Sequence, residues 1–114
     1  MAKQIDSDLL LERIEGMGAA ASKYAKAKAE VDYIKEYRKS LKATLMTQAP
    51  VECKTDKSKE AYAYSHQEYL DLLAGYKAAV EVAEENKWAL ERLKIEVEVW
   101  RTMQANDRWQ KDRV

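Results

Sequence analysis

Pro50 is the only proline in this chain of 114 residues, and it separates two long segments that together contain just three glycines. Proline interrupts a helix and glycine is the other common turn residue, so the chain has few places at which it can reverse direction. Sandwiches and barrels need many tight turns. The scarcity of turn residues therefore predicts an all-α fold, and the abundance of Ala, Leu, Glu and Lys supports it.

Apolar residues recur at steps of three and four on both sides of Pro50, as expected for one face of a helix. The first stripe is interrupted by Arg38 and consists of Leu10, Ile14, Met17, Ala21, Tyr24, Ala27, Val31, Ile34, Leu41 and Leu45. The second stripe consists of Tyr69, Leu72, Leu73, Tyr76, Val80, Ala83, Leu90, Leu93, Val97 and Trp100. Two long helices joined by a short loop form an antiparallel hairpin, so we expect one helical domain over residues 1–114, with coiled-coil character.

Capping residues suggest where these helices begin and end. The first helix is expected over about 7–49, with Asp6 or Ser7 as its cap, and Pro50 opens a loop over 50–56. A short helical segment over 57–64 would begin at a cap on Asp56 or Ser58. The pattern from Ser65 to Glu68 fits a capping box and predicts a long helix over about 66–110.

Gly16 and Gly18 lie early in the first predicted helix and are followed by small residues. One interpretation is a weak or kinked turn, because glycine costs about 1 kcal/mol relative to alanine in a helix. The other is a small-residue face that another helix approaches closely. The sequence leaves both open.

Large apolar side chains also lie off the second stripe. A hairpin of two helices is thin, so such residues need partner chains to cover them. We therefore predict a homo-oligomer larger than a dimer, with an interface that contains Trp88, Ile95, Val99 and Trp100.

The residue inventory argues against several classes of protein. One cysteine, Cys53, and one histidine, His66, allow neither an internal disulfide nor a typical zinc site, and they leave little catalytic chemistry. The apolar runs are too short for a membrane span. We expect a cytoplasmic protein that is not an enzyme, has no cofactor or metal site, and has no membrane partner.

Charge is segregated along the chain although the net charge is zero. Residues 22–44 contain seven basic and three acidic side chains, whereas residues 67–99 contain four basic and eight acidic ones. One interpretation is that the basic helix pairs with the acidic helix across the hairpin. The other is that the basic segment follows a nucleic-acid backbone, with Tyr33 and Tyr37 interleaved as stacking surfaces.

A family resemblance points to the second interpretation. The basic helix closes with Ser40-Leu41-Lys42-Ala43-Thr44-Leu45, a loop and the segment Lys57-Ser58-Lys59-Glu60 follow, and an aromatic-rich helix begins near Glu68. Over roughly residues 24–105 this pattern resembles the UvsY-type recombination mediators of tailed phages and related small proteins of phage recombination gene clusters.

The resemblance implies a function and a site. Proteins of this family are small, helical and ring-forming; they bind single-stranded DNA and help load a RecA-like recombinase onto strands covered by a single-strand-binding protein. Lys42 matches a DNA-binding lysine of the family, whereas Thr44 stands where an arginine is expected. Arg38 and Lys39 lie one turn back and can supply that charge. The predicted DNA-binding residues are Lys35, Arg38, Lys39 and Lys42.

Two hypotheses of different classes follow. The first is a bacteriophage recombination mediator that binds single-stranded DNA without sequence preference in the host cytoplasm, with a recombinase and a single-strand-binding protein as partners. The second is a helical protein-interaction module, such as an assembly chaperone, adaptor or inhibitor, that has no role with nucleic acid. Salt-sensitive binding to an oligonucleotide discriminates between them.

Overall fold

Three helices make up the computed structural model, which describes residues 7–113: α1 (Ser7–Thr47), α2 (Asp56–Ser65) and α3 (Gln67–Arg113). No strand occurs within this range, and the expected all-α long helical hairpin is confirmed. The cap proposed at Asp6 lies outside the described residues.

The end of α1 comes at Thr47, two residues before the expected position. At this end the hydrogen bonding changes from four-residue to three-residue spacing: the Gln48 N–H is shared between the carbonyls of Thr44 and Leu45, at 3.3 and 3.1 Å. The Thr47 hydroxyl also donates to the Thr44 carbonyl at 2.6 Å. Pro50 lies in the loop that follows, where its carbonyl accepts a 2.9 Å hydrogen bond from the Cys53 N–H.

Thr55 caps α2, so the expectation of a cap on Asp56 or Ser58 is wrong. The backbone of Thr55 is extended, and its hydroxyl accepts from the Ser58 N–H at 3.1 Å. Ser58 takes the third helical position instead, and its hydroxyl accepts from the Thr55 N–H at 3.1 Å. This reciprocal pair satisfies backbone donors that the first helical turn would otherwise leave unpaired.

The junction between α2 and α3 is a single extended residue, His66. The capping box expected from Ser65 to Glu68 is not formed, because the Ser65 hydroxyl donates back to the Ala61 carbonyl at 2.9 Å. His66 caps α3 in its place: its carbonyl accepts from the Leu70 N–H and its Nδ1 accepts from the Glu68 N–H, both at 3.1 Å.

The chain divides into two compact units, and both long helices contribute to each. Unit 1 combines α1 up to Ala25 with α3 from Glu84 onward, and unit 2 is residues 26–83. In unit 1, Arg13 Nη1 lies 3.2 Å from Glu96 Oε2, while Gly16 lies opposite Leu93. The residue numbers rise along α1 as they fall along α3, so the two helices run antiparallel there.

Unit 2 contains the most deeply buried cluster, because α2 adds a third helix to the pair. Leu45 is 1% exposed and is the largest fully enclosed side chain among the described residues. All three helices contribute side chains to this cluster. It consists of Leu41, Leu45, Ala63 and Tyr69, with Met46 and Leu72 packed against it.

Buried and half-buried residues recur at heptad spacing along one face of each long helix, and we call this face the seam. In α1 the buried or half-buried seam residues are Leu10, Arg13, Met17, Ala20, Tyr24, Ala27, Val31, Ile34, Arg38, Leu41 and Leu45. In α3 they are Tyr69, Leu72, Tyr76, Ala79, Ala83, Asn86, Leu90, Leu93, Val97, Trp100, Gln104 and Asp107. Ile14, Ala21 and Leu73, expected on the stripes, are exposed, because a seam of period 3.5 excludes them.

Candidate nucleic-acid interface

The four predicted DNA-binding residues lie on one face of α1. Each residue advances about 100° around a helix, which places Lys35, Arg38, Lys39 and Lys42 within an arc of about 100°. All four belong to unit 2 and to the C-terminal third of α1. A single extended ligand can therefore contact them together.

Their surroundings differ. Lys35 is exposed, and no described residue forms an ion pair with it. Lys39 is also exposed, and its Nζ lies 3.3 Å from Glu36 Oε1 within the same helix. Arg38 is half-buried because it occupies a seam position. Lys35 is thus more available than Lys39 or Arg38.

Lys42 is held by α2. Its Nζ lies 3.4 Å from Glu60 Oε1 and 4.9 Å from the centroid of the Tyr64 ring. Hydrogen bonding to Tyr64 raises the pKa of Lys42 above its ordinary value of 10.5; partial burial opposes this, and Glu60 adds to it. The Lys42 ammonium is therefore charged at neutral pH and is fixed in place beside its neighbours.

A fifth residue of the same face, Lys28, was absent from the prediction. Lys28, Lys35 and Lys42 are seven residues apart, or about 10.5 Å per step along α1. We call these three side chains the lysine row. Lys28 is exposed, and none of the ion pairs among the described residues involves it. The seven-residue spacing is visible in the sequence and could have revealed the row.

The basic segment does not pair with the acidic segment through ion pairs. Two ion pairs between described residues join different helices: Arg13 with Glu96, and Lys42 with Glu60. Neither links residues 22–44 to residues 67–99. The other ion pairs in that range are local contacts three or four residues apart. Pairing across the hairpin therefore leaves most of the basic charge of α1 available.

The two tyrosines expected among these lysines lie elsewhere. Tyr33 and Tyr37 are about 160° around α1 from Lys35, so they are not interleaved with the lysine row. They stack on each other, with ring centroids 6.2 Å apart and an interplanar angle of 8°. Lys26 is on the same flank as this tyrosine pair.

The residues predicted to mediate oligomerisation divide into two groups. Trp88, Ile95 and Val99 are each more than half exposed on α3, on the side away from the seam, and we call them the outer stripe. A shallow groove beside Ile95 and Val99 continues to Thr102 and Met103. Trp100 is half-buried in the seam instead.

Other candidate chemistry is sparse in the described part of the chain. Cys53 is a half-buried free thiol in the loop between α1 and α2. Residues 7–113 contain no group of three metal-ligating side chains close enough together to hold an ion. Among the helices described, none is long and apolar enough to cross a membrane.

Comparison with protein-family models, with curated proteins and with solved structures found no match for this chain.

Proposed function

We propose that this chain is a recombination mediator of the UvsY type, which binds single-stranded DNA without sequence preference. The observation that carries the proposal is the lysine row, in which Lys28, Lys35 and Lys42 repeat at a constant spacing on one face of α1. Two of these ammonium groups have no ion-pair partner among the described residues. An extended polyanion is the ligand that a linear array of cations fits best.

The energetics of such binding come from counterion release. Each phosphate neutralised by lysine frees condensed cations, so affinity depends steeply on salt and little on sequence. Lys39 lies beside the row and can add a contact once it leaves Glu36, since that exposed pair contributes little stability. The resemblance adds a cytoplasmic location and two protein partners, a RecA-like recombinase and a single-strand-binding protein.

Self-association belongs to the same proposal. The outer stripe places Trp88, Ile95 and Val99 in water, and a second copy of the chain is the occupant we propose. Beside the stripe, α3 carries an acidic row and, next to it, a basic row at seven-residue spacing; Glu91 pairs with Lys94, and Glu98 with Arg101, within the helix. These rows are Glu84, Glu91 and Glu98, and Lys87, Lys94 and Arg101.

A salt series tests the DNA-binding proposal. The wild type and the variant Lys28→Gln/Lys35→Gln are titrated against a labelled oligothymidylate and followed by fluorescence anisotropy. Wild-type affinity should fall steeply between about 50 and 200 mM salt. The variant should bind more weakly, and its salt slope should be shallower by about 1.4 if each lysine contributes one contact at about 0.7.

Lys54→Gln/Lys57→Gln provides the matched control. Both lysines are exposed in unit 2, and their loss changes the net charge by the same amount away from the lysine row. If both variants weaken binding equally, general charge rather than the row is responsible. If the wild type shows no salt-sensitive binding, the protein-interaction module becomes the better hypothesis, and the outer stripe is the surface to examine.

A further inference from the structure

The tyrosine pair of α1 is an exposed aromatic surface that contributes little to the core. Tyr33 is 66% exposed and Tyr37 is 45% exposed. By contrast, Tyr69 is buried, and Tyr24 and Tyr76 are half-buried in the seam. Aromatic side chains stabilise folds mainly through the area they bury, so these two rings contribute less to folding than the other three.

The geometry of the pair suits a flat ligand. The two rings are close to parallel, at 8°, and they are held one helical turn apart on a rigid element. A ring pair that is already aligned loses little freedom when a third ring stacks on it. Nucleobases are such rings, and every base offers a flat face whatever its sequence.

The charge around the pair is mixed. Lys26 lies on the same flank, two turns before Tyr33, and it has no ion-pair partner among the described side chains. Glu30 lies between them on that flank. Lys26 can therefore contact one phosphate at most, and the two rings supply most of the recognition.

We infer that Tyr33 and Tyr37 form a base-stacking platform for single-stranded DNA; the inference rests on the proposed function. The lysine row and the tyrosine pair lie on opposite flanks of α1, which is about 10–12 Å across with its side chains. A strand that passes around the outer side of α1 places its phosphates against the row and its bases against the rings. Asp32 and Glu36 are exposed carboxylates on that path, so the phosphates stay on the lysine side of both and only the bases reach beyond them.

Replacement of the rings by leucine tests the platform. Tyr33→Leu/Tyr37→Leu should bind oligothymidylate about 5- to 150-fold more weakly than the wild type, the effect of one lost stacking contact, with an unchanged salt slope. Tyr33→Phe/Tyr37→Phe keeps both rings and should bind as the wild type does. If the double variant loses helical circular dichroism, the single variant Tyr33→Leu, at the more exposed position, is titrated in its place.

An abasic strand of the same length separates the bases from the phosphates. The wild type and the leucine variant should bind this strand equally weakly, because it offers no base to stack. Equal binding of both proteins to oligothymidylate would overturn the platform and leave the pair as a helix-stabilising contact. If Lys28→Gln/Lys35→Gln still weakens binding in that case, the proposed function stands without the platform. Failure of the wild type to bind either strand would overturn both.

Discussion

Lys42 illustrates how one side chain can serve two purposes. It belongs to the lysine row on α1, and it also contacts Glu60 and Tyr64 of α2. The contact fixes where the ammonium group lies, whereas Lys28 and Lys35 are exposed and form no ion pair with a described residue. Removal of Lys42 should therefore affect the packing of α2 as well as ligand binding, which is why it is absent from the variant that tests DNA binding.

The raised pKa of Lys42 predicts how stability depends on pH. The folded protein favours the charged ammonium, so this contribution is complete below pH 10.5, the ordinary value, and is lost as the pH rises through the higher folded value. Lys42→Met should be less stable than the wild type at neutral pH, with the difference shrinking above pH 10.5. Urea unfolding across a pH series measures this difference.

Lys39→Met is the control for that series, since Lys39 pairs with Glu36 in full solvent. Its stability should differ little from the wild type at any pH. A loss from Lys42→Met that remained constant into the alkaline range would attribute the effect to packing against Tyr64 rather than to charge.

At the scale of elements, each helix depends on a different local signal. α1 ends shortly before Pro50, α2 begins at the Thr55 capping box, and α3 begins at the His66 cap. The two glycines of α1 supply no such signal, because neither has a positive φ and both lie inside regular helix. They are simply weak helix formers at these positions.

Alanine at these glycines should stabilise the protein. A Cβ at Gly16 would lie 3.9 Å from Leu93 Cδ1, an ordinary contact, and a Cβ at Gly18 would meet nothing within 4 Å. Gly16→Ala and Gly18→Ala should each raise the free energy of unfolding by about 0.8–1 kcal/mol. Urea unfolding measures both, and Gly75→Ala, equally open in α3, is the reference. A loss of stability in Gly18→Ala alone would indicate that a partner chain approaches α1 there.

At the scale of the whole molecule, large apolar side chains remain exposed outside the seam. Each long helix buries one face, while α3 also carries the outer stripe on its other side. Apolar groups at regular spacing along a helix are typical of a second packing surface. Burial of Trp88, Ile95 and Val99 against another copy would remove them from water.

We therefore predict that the protein is a homo-oligomer larger than a dimer. The double variant Trp88→Ser/Ile95→Ser should form a smaller assembly, with a lower molar mass in solution. Val51→Ser is the control, because Val51 is 89% exposed and belongs to the loop between α1 and α2 rather than to α3. Light scattering over a range of concentrations gives the molar mass of each protein. A wild-type monomer that persists at micromolar concentration would contradict the prediction.

Much of the fold could be read from local patterns. Apolar spacing and the position of Pro50 indicate two long helices with a short one between them, because periodicity and backbone restriction act within a few residues. The basic face of α1 is readable for the same reason, since Lys35, Arg38, Lys39 and Lys42 share it by helix geometry alone.

The tertiary structure decided which neighbours these residues have. Only the packing of α3 against α1 places Arg13 in the seam and leaves Ile14 exposed. The two residues are neighbours on α1, and the way the helices pack decides which of them faces α3. The contact of Lys42 with Glu60 depends on where α2 folds back, eighteen residues along the chain. Helix spacing predicts which side chains share a face, whereas their partners are set by residues far away in sequence.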